Sequence, residues 1–415
     1  MSQREGKGAS RLFTRNFTLL LLGQLFSLIG NGALKFALSM YVLEETGSAA
    51  VFGTLLAVSM VPTILLTPFG GVLADRANRR SIMVGLDLTS GAAVLAACAA
   101  FSAGRGLAVT AALLIVLSVL GAFESPTVQA CVPQMLSGDN VLRGNAAVNQ
   151  AAAVTGLAVP FLGSLLYVTF GIRPVLAGTA VCFLLTAALE CFIRLPAPPP
   201  APRQGVGAVL REDLLGSARF LVRERREVLD LLLYAALVSF FIAGVAVVGL
   251  PYLVRSELGL SAQVYGVVES AMGLAAILGG LSVGLLPNVI PMRRLNRLVT
   301  AVGACMVLAG CGLVLPLGAL GRCALLAAFF CAGQTGVSVF SIFAVSAIQQ
   351  RTPEQMTGKV MACVSTISLC AQPLGQLAYG LLFDAAAGSA WTVLLATGAA
   401  VCALGGGSGR VFEKF

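Results

Sequence analysis

The 415-residue chain has no histidine, which excludes imidazole metal sites, Ser-His nucleophile pairs and histidine proton relays, and leaves proton chemistry to its 18 Asp and Glu residues. Four of these carboxyls, Asp87, Glu124, Glu190 and Glu269, fall inside long apolar stretches together with one amine, Lys35. In a bilayer each such charge costs about 2.5–3.5 kcal/mol on insertion scales, so each calls for a partner, a cavity or a proton. Glu124 is followed by Ser125-Pro126, and the proline loosens the helix around it. A carboxyl in an apolar wall can take up and release a proton near neutral pH or hold a cationic substrate; the plainer alternative is a structural hydrogen bond to nearby backbone. Asp87 follows Arg79 and Arg80 closely enough for a buried ion pair, with proton transfer as its second reading. Glu190 precedes Arg194 at i,i+4 spacing, and a helical pair reaching toward the surface accounts for it without a functional role. Lys35 and Glu269 each fall about two helical turns from one surface, so they could pair across the two halves of the chain and close a gate.

Gln24, Asn31, Gln334 and Gln372 add neutral hydrogen-bonding groups inside apolar stretches and, with Lys35, form the candidate lining of a substrate cavity. The same groups also serve as glue between membrane helices. Residues 70–80 read GGVLADRANRR, in which a glycine-rich helix end containing Gly71 meets Asp75, Arg76, Arg79 and Arg80 in a short turn. The chemistry available there is electrostatic. The 11 cysteines lie mostly in apolar segments with no CxxC pair, so they read as small packing residues, with no metal site or cofactor implied. TGKV lacks the spacing and the hydroxyl of a phosphate-cradling loop, which argues against a nucleotide-driven pump.

The elements that must position these residues are set by composition: 58% hydrophobic, 11% charged, with 47 glycines and 17 prolines inside apolar runs. That balance, with a mean hydropathy of +0.92, makes the bilayer the solvent. Apolar runs predict twelve spans near 17–43, 50–70, 82–102, 107–131, 145–169, 173–194, 229–254, 263–286, 298–318, 323–347, 360–383 and 390–407. Of the 27 Lys and Arg, 22 collect in the tails and alternate loops and four (Arg105, Arg173, Arg255, Arg322) in the opposite loops, which predicts both termini cytoplasmic and argues against a nucleic-acid partner for the net charge of +9. The expected organisation is a tail over 1–16, a six-helix bundle over 17–194, a proline-rich cytoplasmic linker with an amphipathic helix over 195–228, a second bundle over 229–407 and a tail over 408–415. Shifting the second half back by about 211 to 214 residues aligns Tyr41 with Tyr252, Gly47 with Gly259, Arg79-Arg80 with Arg293-Arg294, Gly144 with Gly358 and Pro160 with Pro373, so the halves read as parallel repeats.

GGVLADRANRR resembles the loop G-x-L-a-D-r-x-G-r-R between the second and third helices of the major facilitator superfamily. Gly71, Leu73, Asp75, Arg76, Arg79 and Arg80 match, and Asn78 stands where a second glycine is usual, as a residue that tolerates left-handed backbone. The resemblance covers nearly the whole chain and is to the drug-exporter branch that includes macrolide efflux proteins and siderophore exporters. GQLFSLIGNGALKFAL, GLDL, GAFESPTVQACVPQML, TGKVMACVSTISL and QPLGQLAYGLLFD carry it further. Three features depart from the pattern: Asn31 stands where Asp is frequent, the second-half loop GLLPNVIPMRRL has no Asp, and Val159 precedes Pro160 in place of the glycine of G-P-x-x-G.

The resemblance implies an all-α membrane protein of twelve helices in two pseudo-symmetric six-helix bundles, with helices one, four, seven and ten lining a central cavity. It implies that Asp75, oriented by the loop arginines, meets the amino terminus of span eleven when the cytoplasmic side is shut and so latches an outward-open state. The function expected is not enzymatic: proton-coupled export of an amphipathic small molecule by alternating access, in the manner of a multidrug antiporter, by a monomer in a bacterial plasma membrane. An importer or facilitator of a small nutrient shares the fold and would be favoured by a cavity crowded with hydrogen-bonding groups; a non-transporting scaffold would leave Glu124 and Asp75 unexplained.

Overall fold

The computed structural model describes residues 12–101, 105–137, 139–195, 221–222, 225–285 and 295–409. Twelve long helices occupy them: α1 Arg15–Thr46, α2 Ala49–Arg76, α3 Arg79–Ala100, α4 Gly106–Met135, α5 Asp139–Phe170, α6 Ile172–Glu190, α7 Arg226–Glu257, α8 Ala262–Leu285, α9 Leu295–Val314, α10 Ala319–Gln350, α11 Glu354–Ala385 and α12 Trp391–Gly407. Each corresponds to one expected span. Helices dominate because a backbone in hydrocarbon must satisfy its own N–H and C=O groups. Most of the linker, and Arg293-Arg294 of the second-half loop, lie outside the described residues.

Helix ends follow from local chemistry. Thr14 caps α1 by accepting from the Phe17 N–H, and α1 stops at Gly47, whose φ of 61° returns its N–H to the Leu43 carbonyl. Gly259 after α7 has a similar φ of 64°, while Gly171 after α5 and Gly388 after α11 have φ of 77° and 78°. The left-handed glycines thus sit at matching turns of the two repeats, the fifth-helix pair adding to the match seen in sequence. Asn78 corrects an expectation: its backbone is extended, at φ −68°, and its side chain accepts from the Ser81 N–H to cap α3. Capping, rather than tolerance of a left-handed turn, is what asparagine supplies. In α7, Pro251 lies between two π-helical turns, Gly244–Gly249 and Leu253–Glu257, since its ring and missing N–H force the helix to widen.

The packing repeats as well. In the first half α1 packs on α5 and α6, α2 on α4, and α3 on α4 and α6; in the second α7 packs on α11, α8 on α10, and α9 on α10 and α12. The halves meet through two symmetry-related pairs, α2 with α11 and α5 with α8. The end of the bundle holding the start of α1 is called the near end below, and the opposite end the far end.

Candidate functional site

Within the first half, α1, α4 and α5 wall a cavity of about 700 Å³ lined by Gln24, Ser27, Asn31, Glu124, Gln129, Asn145 and Asn149. It forms beside the two prolines of α4, Pro126 and Pro133. The Ser27 hydroxyl donates to Glu124 Oε1 at 3.1 Å, and Asn31 Nδ2 donates to the Ser27 oxygen at 3.3 Å. Glu124 therefore ends a short polar chain that runs across α1 and faces open space.

Behind it lie two further acids, Asp87 on α3 and Glu190 on α6, each 1% exposed. Their carboxyls are within hydrogen-bonding reach of one another, and both lie close enough to Glu124 to feel its charge. Two carboxyls can share a hydrogen bond only through a proton. Asp87 Oδ1 and Glu190 Oε2 find no donor on any other described residue, so a proton held between the two acids is what can satisfy them. Among the described residues no group of His, Cys, Asp and Glu has metal-holding geometry.

This trio corrects two expectations. The surface pair of Glu190 with Arg194 does not form, because α6 ends at Glu190 and the chain turns away, leaving the Arg194 N–H on Asn16 Oδ1. Glu190 instead packs beside Gly23 of α1. Nor does Asp87 take the loop arginines as its partners. Arg79 donates from Nε to the Ala74 carbonyl at 2.7 Å and from Nη1 to the Ala130 carbonyl at 2.8 Å, and Arg80 donates to the Cys191 carbonyl. Ala74 and Cys191 lie at the carboxy-terminal ends of α2 and α6 and Ala130 in the last two turns of α4, where the helix dipole favours a cation.

A second chamber, about 560 Å³, lies between the halves and is largely apolar, with Phe36, Phe52, Leu56, Val159, Leu250 and Met272 in its wall. Leu28 and Asn31 line both chambers. Lys35, Gln334 and Glu269 also line it; Glu269 lies close to Tyr265 and within electrostatic reach of Lys35 across the halves. The walls include α5 and α8 as well as α1, α7 and α10. Val159 accounts for its own departure from the glycine pattern: it fills the space beside Gly32, where an added Cβ would come within 2.7 Å of Val159 Cγ1.

Gln372 lines neither chamber and is half-buried on α11, whereas Gln376, one turn on, is buried against α2. Gly71 would accept a Cβ with nothing within 4 Å, so close packing does not require glycine there. Arg76 is exposed at the end of α2, while the Asp75 side chain and those of residues 354–359 at the start of α11 lie outside the described set.

Sequence reasoning did not single out the contacts that shut the far end. Asp384 accepts from the Ser48 hydroxyl at 2.5 Å and from the Ala49 N–H at 2.6 Å. Glu44 accepts from Arg255 and, at 2.6 Å, from the Tyr167 hydroxyl. Phe36 stacks on Tyr265 at 5.6 Å, and the Phe161 N–H donates to Ser270 at 3.1 Å. Arg255 left a trace in the sequence as one of the four cations on the sparsely charged side.

The sequence pattern of the Major Facilitator Superfamily matches residues 20–376. Macrolide efflux protein A of Streptococcus pyogenes is 22% identical over 388 residues, 92% of each chain. The enterobactin exporter EntS of Escherichia coli O1:K1 is 26% identical over 361 residues, 83% of this chain and 79% of its own. Among solved structures, a variant of the nucleoside transporter NupG superposes with a TM-score of 0.77 at 11% identity, covering 95% of this chain and 99% of that one. A bacterial homologue of the iron transporter ferroportin, in its inward-facing state, gives 0.69 at 17%, covering 96% and 98%.

Proposed function

Because the chain belongs to the Major Facilitator Superfamily and is a multi-pass membrane transporter, we propose that it exports an amphipathic small molecule in exchange for protons by rocking its two halves about the paired chambers. The observation that carries this reading is the junction at Asn31: a polar chamber holding Glu124 opens beside an apolar chamber between the halves. An amphipathic solute matches that division, with its polar part near Ser27, Asn31 and Glu124 and its apolar part against Phe36, Leu250 and Met272. Glu124 is the group that exchanges a proton or meets a cationic substrate, and Asp87 stands behind it. Lys35 and Glu269 help close the path between the halves, and Asp75, with its neighbouring arginines, latches the near end. Two relatives named as exporters support the direction. The charge asymmetry of the loops supports a near end facing the cytoplasm of a bacterial plasma membrane.

The amide-rich wall of Gln24, Gln129, Asn145 and Asn149 favours a second reading, uptake of a small polar nutrient. Direction separates them. Cells overproducing the protein and preloaded with a fluorescent lipophilic cation, a macrolide or a siderophore should lose it faster than cells without the protein, and collapse of the proton gradient should abolish the difference. Inward accumulation of sugars or nucleosides with no such efflux would replace the exporter by the importer.

A further inference from the structure

We propose that Asp384 latches the far end of the transporter, as the reciprocal of the latch assigned to Asp75 at the near end. The helices α2 and α11 pack against each other across the halves and run in opposite directions. Asp75 is the penultimate residue of α2 and Asp384 the penultimate residue of α11. Asp384 falls beside the first turn of α2, and Asp75 holds the equivalent chain position on α2. At the far end the contact is formed: Asp384 Oδ2 takes the hydroxyl of Ser48, the N-cap of α2, and Oδ1 takes the N–H of Ala49, the first residue of that helix. Ser48 Oγ also accepts from the Val51 N–H at 3.1 Å, so the carboxylate holds both the cap and the positive pole of α2.

The backbone leaves no slack beneath this contact. A Cβ on Gly380 would lie 2.7 Å from the Ala49 carbonyl oxygen, and one on Gly53 would lie 2.4 Å from that of Gln376. Separation of the halves at the far end must therefore pull Asp384 off α2. One helix pair carries both latches, and rigid rocking allows only one to be engaged at a time, so the balance between the two states is the difference between two similar contacts. The other crossing pair, α5 with α8, meets through the Phe161 N–H and the Ser270 hydroxyl, and the loop after α8, GLLPNVIPMRRL, has no Asp.

This inference rests on the alternating-access part of the proposed function and is independent of substrate, direction and coupling ion. Its test is double electron–electron resonance on the full chain in lipid nanodiscs, with spin labels on genetically encoded non-cysteine residues. Arg105 with Leu317 reports the far end, and Arg143 with Arg297 the near end. Asp384→Asn should raise the ratio of far-open to far-shut molecules about two- to thirty-fold, the range expected for a carboxylate at a helix amino terminus, and shift the near-end distances toward the closed population in proportion. Ser48→Ala should act in the same direction more weakly, Asp384→Glu should restore much of the wild-type balance, and Asp75→Asn should act oppositely. A far-end distribution unchanged by Asp384→Asn while Asp75→Asn shifts the balance would overturn the latch alone. Loosening of the far end with no response at the near end would reduce Asp384 to a local cap and also overturn it. Absence of a far-open state in every variant would bring down both the latch and alternating access.

Discussion

The two halves share a frame and differ in what they bury within it. In the first, Asp87 on α3 and Glu190 on α6 meet at the core of the bundle, with Glu124 on α4 beside them. The repeat offset of about 211 to 214 residues carries these positions to the neighbourhood of Thr300 on α9, Cys402 on α12 and Thr335 on α10. There the same helices touch, since Cys402 Sγ donates to the Thr300 carbonyl at 3.3 Å, but neither residue carries a carboxyl. The Thr335 hydroxyl is consumed by the carbonyls of Ala275 and Cys331 at 3.2 and 3.0 Å. Pseudo-symmetry therefore preserves places, not chemistry: the first half clusters three carboxyls, whereas the matching positions of the second are neutral and its buried acid Glu269 stands apart from them in the chamber wall.

The sharpest way to break this comparison is to give the first half the second half's residues. Asp87→Thr or Glu190→Cys alone leaves one acid buried without the partner that shares its proton, and each should lower stability by about 1–3 kcal/mol, read from thermal melts in detergent. The double variant should recover most of that loss while transport stays reduced about tenfold or more. Additive destabilisation would show that the two acids do not act as a unit.

A smaller effect is expected where the halves face each other. Lys35→Glu and Glu269→Lys should each slow transport several-fold by placing like charges across the chamber, and the two together should restore it, with a coupling of about 0.5–2 kcal/mol. Failure of the double reversal to rescue would end the idea that they act as a pair. The smallest effect belongs to the neutral matching positions: Thr335→Val removes one interhelical hydrogen bond worth about 0.6 kcal/mol, so transport should stay within about threefold of wild type. A large loss there would place chemistry at those positions as well.

Most of the frame was legible because the bilayer imposes its demands locally. Long apolar runs, and the glycines and prolines within and between them, are properties of single segments. Glu124 was visible for the same reason, as an acid beside a proline in an apolar run. The role of Glu190 was hidden because i,i+4 pairing with Arg194 assumes a helix that continues, whereas α6 stops at Glu190. The partners of Asp87 were hidden because Arg79 and Arg80 are drawn to the carbonyl ends of three helices, a convergence that exists only in the folded bundle. Asp384 and Ser48 stand 336 residues apart, and no local pattern couples them.

The central claim is that Glu124 exchanges the proton that drives export, and proteoliposomes holding purified protein test it most directly. Internal pH is followed while lipophilic cations, macrolides and siderophores are added in turn, with wild type and Glu124→Gln side by side. The account predicts proton movement driven by at least one of these compounds and lost, by about a hundredfold or more, in Glu124→Gln even though the variant still binds the compound. Proton movement that persists in Glu124→Gln at the wild-type rate would contradict it.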